Sequence, residues 1–283
     1  MTHKFFFVAA MLLNGLVSQG CQKKEAKVSL RCIYDQNVFA EAAVAASKDD
    51  VHFATFKTHP FLNLLFENLS KEEGEMWLQQ IEEKYPSLKE KWAQFAKSDQ
   101  VGSPRVFSFG EAGEFSPSTL RNIATAGQLQ SKVGSWSGMH VVQIGAGYGG
   151  LCKIVQDVSG CASYTIVDLP EQLALAKKYL GAFGLNQVIY LTPEQLPKGA
   201  SYDLALSDMH FSEFSCAYQE LFIERIFNRA KAGFVLGRIF PKHYGVSALT
   251  LDEIKGRLGK LAACEINEPT IENENYFIYF ERS

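Results

Sequence analysis

The 283-residue sequence lacks several features that would settle its class at once. Its six cysteines, Cys21, Cys32, Cys152, Cys161, Cys216 and Cys264, form no CxxC pair, which argues against a zinc site. Several sit in apolar segments, where a reduced, buried thiol is the ordinary state. Disulfides stay open if the chain is exported, but the sequence does not pair them. There is no internal repeat and no low-complexity tract. No apolar run reaches the roughly 18–20 residues that span a bilayer comfortably. Positive charge is not in excess either. With a net charge of −3, and basic clusters as short as Lys177-Lys178, nucleic acid is not an expected partner. No metal-ligand cluster stands out, so metal-independent chemistry is expected.

What is present begins with an N-terminal segment that looks like a targeting signal. Met1-Thr2-His3-Lys4 is short and basic, residues 5–17 are apolar apart from Asn14 and Gly15, and Ser18-Gln19-Gly20-Cys21 resembles a lipoprotein processing site. Ser18 stands where that motif usually has Leu. A short uncleaved anchor and a misassigned start codon are the rival readings. Lys23, Lys24 and Lys27 follow the apolar run, and positive charge tends to stay on the cytoplasmic side. The expectation is a membrane tether through segment 1–21, with the catalytic domain facing the cytoplasm.

The rest of the chain has two textures, and 47% hydrophobic residues suffice for one substantial core. Residues 27–133 read as a helical accessory region. Phe61-Leu62-Asn63-Leu64-Leu65-Phe66 opens an amphipathic stretch, Ser70-Lys71-Glu72-Glu73 resembles a capping box, and Trp77, Ile81 and Tyr85 follow at helical spacing before Pro86. Ser116 with Pro117 predicts a second helix start. Residues 139–283 alternate strand and helix. Strands are predicted at 140–144, 163–167, 188–191, 203–206 and 234–237, with helices from about 150, over 170–183 and over 213–230. That alternation implies a parallel sheet covered on both faces. Two further strands, 261–264 and 276–280, are joined by a polar turn and predict a closing hairpin with one antiparallel strand.

Gly145-Ala146-Gly147-Tyr148-Gly149-Gly150 lies between the first of these strands and its helix. Glycines there permit a tight turn and close approach of a ligand to the backbone. Asp168 ends the next strand, about twenty residues on, where a carboxylate can accept from both hydroxyls of a ribose. The pattern predicts a site for an adenosine-containing cofactor. The same spacing suits NAD. The mid-chain position of the loop and the closing hairpin favour S-adenosylmethionine, as in class I methyltransferases.

The run Val141-Val142-Gln143-Ile144-Gly145-Ala146-Gly147-Tyr148-Gly149-Gly150-Leu151, with Tyr164-Thr165-Ile166-Val167-Asp168-Leu169-Pro170-Glu171, resembles the bacterial sugar O-methyltransferase family. Phe56-Lys57-Thr58-His59-Pro60, Gly102-Ser103-Pro104, Ser116-Pro117-Ser118-Thr119-Leu120-Arg121 and Phe211-Ser212-Glu213-Phe214 are similar to its outer landmarks. The resemblance implies a Rossmann-like class I methyltransferase sheet behind a helical N-terminal region. It also implies an S-adenosyl-L-methionine cofactor and a sugar or glycan acceptor.

Gln143, Gly145, Gly147, Tyr148 and Asp168 become the expected cofactor residues, with Tyr148 covering the methionine part. Many methyltransferases carry an acid where Gln143 stands, so its uncharged amide weakens the expected hold on the methionine amino group. Ser207-Asp208 stands where the family often has Asn-Thr, and His210 replaces a small polar residue. Methyl transfer to a hydroxyl needs alignment and a proton acceptor, and His210, Glu213 and Asp208 cluster where one would serve. Each has a plainer role open to it as a helix cap or surface group. Arg121 could reach a cofactor carboxylate or an acidic sugar, and His243 and Tyr244 could line the acceptor pocket. A non-catalytic binding protein of the same fold and an NAD-linked oxidoreductase are the alternative functions.

Overall fold

The computed structural model describes residues 37–238, 248–258, 262–265 and 275–282. The targeting-like segment 1–21, the loop bearing His243 and Tyr244, and the polar turn between the last two strands lie outside these residues. Among the described residues no helix is long and apolar enough to cross a membrane.

The N-terminal part is helical, as its periodicity predicts. It comprises α1 (Asn37–Lys48), α2 (Asp50–Ala54), α3 (Pro60–Phe66), α4 (Lys71–Lys84), α5 (Trp92–Phe95) and α6 (Pro117–Val133), with a two-stranded ribbon of β1 (Phe107–Ser108) and β2 (Glu114–Phe115) before α6. The capping box at α4 closes in both directions: Ser70 Oγ accepts from the Glu73 amide at 3.2 Å and Glu73 Oε2 from the Ser70 amide at 2.7 Å. Ser116 caps α6 through the Thr119 amide, with Pro117 at the first turn. Asp99 accepts from both hydroxyls of this cap and from the Ser116 amide, so it fixes where α6 begins.

The C-terminal part is a seven-stranded sheet of β3 (His140–Ile144), β4 (Ser163–Val167), β5 (Ile189–Leu191), β6 (Tyr202–Asp208), β7 (Ala230–Arg238), β8 (Ala262–Glu265) and β9 (Asn275–Glu281), in the order β5-β4-β3-β6-β7-β9-β8. The first five strands run parallel, and β9 is antiparallel to both β7 and β8. This is the expected Rossmann-like sheet with its closing hairpin. Its crossovers are α7 (Gly150–Val158), α8 (Pro170–Gly181) and α9 (Cys216–Arg225), and α10 (Leu251–Leu258) precedes β8.

Alternating strand residues feed two cores. Val141, Tyr164, Ile166, Leu204 and Leu206 pack with α6, α7, α8 and the N-terminal helices. Val142, Val167 and Ala205 pack with Phe222, Ile223, Ile254 and Leu258 of α9 and α10 on the other face. The accessory helices therefore share one core with the sheet.

The continuous helix predicted over 213–230 is instead a short α9 between two single-turn 3-10 segments, His210–Glu213 and Phe227–Arg229. The reason is local. Ser207 Oγ accepts from the Phe211 amide and Gln219 Nε2 donates to the Phe211 carbonyl, so side chains pin the His210–Glu213 turn as a segment of its own ahead of α9. Ala230, placed at the helix end by periodicity, begins β7, which starts four residues ahead of the predicted strand.

Candidate active site

The sheet order reverses between β3 and β6, and the crevice at the C-terminal ends of these strands is where open α/β sheets bind ligands. A cavity of about 170 Å³ lies there, lined by Arg121, Gly147, Asp168, Asp208, His210 and Glu213 among others. Five of the site residues singled out from the sequence thus meet, with Arg121 beside them. The opposite wall comes from α3 and its exit, Leu64, Leu65, Phe66, Asn68 and Leu69, and from Gln172 on α8. The sequence marks that first stretch only as amphipathic. The volume is small against the roughly 300–1,000 Å³ of ligand pockets.

The glycine loop turns as expected: Gly145, Gly147 and Gly149 have φ of 65°, 52° and 93°. The clearance left by two of them is taken by protein side chains. A Cβ on Gly145 would fall 2.1 Å from the His210 Cβ, and one on Gly147 would fall 2.6 Å from Cε1 of Phe66. Asp168 is buried beneath the loop. Its Oδ2 accepts from the amides of Ala146 (2.8 Å) and Gly147 (3.2 Å), and its Oδ1 from that of Leu169 (2.8 Å). A carboxylate offers about four acceptor sites, so one remains where the sequence suggested two for a ribose. Burial raises the Asp168 pKa, with His210 and the three amides acting against it.

The acidic turn after β6 is built on a strained residue. Met209 adopts φ 68°, uncommon for a side chain of its kind, while its amide donates to the Leu236 carbonyl at 2.8 Å. That kink turns His210 back toward the glycine loop. His210 Nδ1 lies 2.7 Å from the Asp208 carbonyl, which can only accept, so Nδ1 carries the proton and Nε2 is the basic nitrogen. Burial alone would lower the His210 pKa. The charges of Glu213 and Asp168, then the Asp208 carbonyl and carboxylate, outweigh it and raise the pKa. Asp208 is itself ion-paired with Arg121 across the cavity. Glu213 is buried on the same turn.

Two expected cofactor residues point elsewhere. Gln143 is enclosed in the sheet, where its Oε1 accepts from the Tyr164 hydroxyl at 2.6 Å and its Nε2 donates to the Gly145 carbonyl at 3.2 Å. A buried amide must be satisfied, and here the protein does so itself. Tyr148 does not cover the cavity. Its ring packs among Phe56, Phe66 and Tyr179, and its hydroxyl donates to Glu67.

No protein-family model matches the chain, and no curated protein matches it. Solved structures do align with it. One is the magnesium protoporphyrin IX methyltransferase of Synechocystis PCC 6803 with bound SAM, at 16% identity over 58% of this chain and 78% of that chain, TM-score 0.45. The pyocyanin biosynthetic protein PhzM aligns at 15% identity over 80% of this chain and 77% of that chain, TM-score 0.45. An O-methyltransferase family protein from Burkholderia thailandensis aligns at 13% identity over 72% of this chain and 71% of that chain, TM-score 0.43. Likeness this distant assigns no activity, which has to come from the site's own residues.

Proposed function

We propose that this chain is an S-adenosylmethionine-dependent methyltransferase that acts on a hydroxyl group, with a sugar or glycan as acceptor. The observation that carries the choice of cofactor is the use of the loop amides. In dinucleotide enzymes such amides and the following helix N-terminus face an anionic pyrophosphate. Here those of Ala146 and Gly147 are bonded to Asp168. Asp168, Asp208 and Glu213 line the cavity against Arg121 and His210. That acidic lining favours a cationic sulfonium over a pyrophosphate.

The donor set fits the proposed cofactor in part. Asp168 keeps one acceptor site for a ribose hydroxyl, and the glycine turn supplies backbone without side chains. The methionine end has no counterpart in Gln143, and Phe66 of the α3 wall fills the space over Gly147. When bound, the cofactor supplies an electrophilic methyl carbon and its own leaving group. The remaining work falls to the chain. His210 Nε2 accepts the acceptor's proton, and Glu213 and Asp208 stabilise the imidazolium that results. Arg121 holds Asp208, and the Met209 kink holds the imidazole over the loop.

A non-catalytic binding protein of the same fold is the second reading, favoured by the committed amide of Gln143. Calorimetry on the full chain with S-adenosylhomocysteine and with NADH separates the cofactors; tighter NADH binding defeats the first reading. Mass spectrometry of glycan and nucleotide-sugar acceptors after incubation with S-adenosylmethionine separates the other two. Binding of S-adenosylhomocysteine with no methylated product favours the second.

A further inference from the structure

Behind the glycine loop lies a second cluster of charge that the proposed chemistry does not use. Lys57 is fully buried, and its Nζ donates to the Ser98 carbonyl at 2.9 Å. The same Nζ lies 3.8 Å from Glu67 and 3.7 Å from Asp99, and over the rings of Tyr148 and Tyr179 at 4.8 and 5.3 Å. Asp99 is already engaged by the α6 cap. Glu67, at the end of α3, accepts from the Tyr148 hydroxyl at 3.2 Å. Its chain neighbour Phe66 packs edge-on against the Tyr148 ring at 5.2 Å and fills the clearance over Gly147. One carboxylate therefore joins the α3 wall of the cavity, a buried lysine and the tyrosine of the glycine loop.

We propose that Glu67 is a positioning residue for the glycine loop, acting through Tyr148, and that its ionised form holds the loop in the shape the cofactor meets. The proposal rests on the methyl-donor reading for the word cofactor, but its physical content concerns the loop alone. An ionised acceptor binds a phenol hydroxyl more strongly than a neutral one. Lys57 supplies the countercharge that lets a buried carboxylate ionise. Opposing it are burial and the charge of Asp99; Tyr148, Ser118 and Tyr179 are the other polar groups around it. Burial dominates, and the Glu67 pKa is pushed up to about 7, so the tether switches within the physiological range.

The test is amide hydrogen exchange of Ala146, Gly147 and Gly149 in the full-length protein between pH 5.5 and 8.5. Protection is corrected for intrinsic exchange and compared among wild type, Glu67→Gln and Tyr148→Phe. Any titration of His210 or Asp168 is common to all three, so the ratio to wild type isolates the tether. For Glu67→Gln the expected ratio is near one at the acid end and grows to about fivefold lower protection at the alkaline end, the difference between a charged and a neutral acceptor. Tyr148→Phe, which also loses the bond to the neutral carboxyl, starts less protected than wild type at the acid end and falls further behind as pH rises. A ratio independent of pH, or equal protection throughout, overturns the proposal. Should Glu67→Gln fail to fold, Tyr148→Phe alone decides. S-adenosylhomocysteine titrations on the same samples should show the same fivefold loss at alkaline pH. Failure of wild type to bind it defeats the methyl-donor reading and leaves the exchange result standing.

Discussion

His210 Nδ1 donates to the carbonyl oxygen of Asp208 at 2.7 Å, two residues back along the same kinked turn. That bond fixes the tautomer and leaves Nε2 as the basic nitrogen, to which the proposed chemistry assigns the acceptor's proton. Because neighbouring carboxylates hold the His210 pKa above its ordinary 6.5, the base is protonated at the acid end of the working range. Turnover should therefore rise with pH through a midpoint above 6.5. His210→Asn should abolish this limb and lower kcat by about 10²–10⁴-fold. Stability runs the other way. A raised folded-state pKa contributes stability that is complete below the unfolded value and lost as pH rises through the folded one. Wild type minus His210→Asn stability, from urea melts, should shrink as pH rises from about 6.5 through the raised folded-state pKa. An unchanged pH–rate profile in the variant removes His210 from the chemistry.

Asp168 serves the loop as well as any ligand. Asp168→Ala strips three amides of their acceptor in a buried setting, each bond to a charged group being worth about 1.5–3 kcal/mol. The variant should lose on the order of 3 kcal/mol of stability and bind S-adenosylhomocysteine at least about tenfold more weakly. Asp168→Asn keeps one acceptor oxygen and should fall between the two. Wild-type affinity in Asp168→Ala would show that the ligand does not depend on this loop.

Much of this site was legible because local chemistry and tertiary structure agree. The strand ahead of Gly145, the acid ending the next strand and the Ser70 and Ser116 caps follow from periodicity and turn residues, and the structure reproduces each. The misread positions depend on contacts distant in sequence. The Gln143 amide is answered by Tyr164, twenty-one positions away, and Tyr148 by Glu67, eighty-one away. Met209 carries no composition cue at all, since its left-handed backbone is imposed by the turn between β6 and α9. The glycine spacing predicts clearance for a ligand, but in the fold that space goes first to His210 and Phe66.

That last point makes Gly147 and Phe66 a coupled pair. Gly147→Ala should destabilise through both the positive φ and the contact with Phe66, by on the order of 2 kcal/mol. Phe66→Ala removes the contact but not the backbone strain. The double variant should be less destabilised than the sum of the singles by about 0.5–3 kcal/mol, readable in a double-mutant cycle of denaturant unfolding. Strict additivity would mean that Phe66 does not occupy the space over Gly147 in solution.

Gln143→Glu puts an acid at the position where many methyltransferases carry one. If the amide faced the methionine amino group, the added charge would tighten cofactor binding. The contacts predict otherwise. Tyr164 can still donate to a carboxylate oxygen, but the oxygen replacing Nε2 would face the Gly145 carbonyl, two acceptors about 3.2 Å apart with no proton between them. The carboxyl would also be enclosed in the sheet, against a phenol hydroxyl and a backbone carbonyl that carry no countercharge. Gln143→Glu should therefore cost on the order of 2–3 kcal/mol in stability, with no gain in S-adenosylhomocysteine affinity at pH 7. A stable variant that binds the cofactor analogue about tenfold more tightly would mean that Gln143 turns toward the ligand after all.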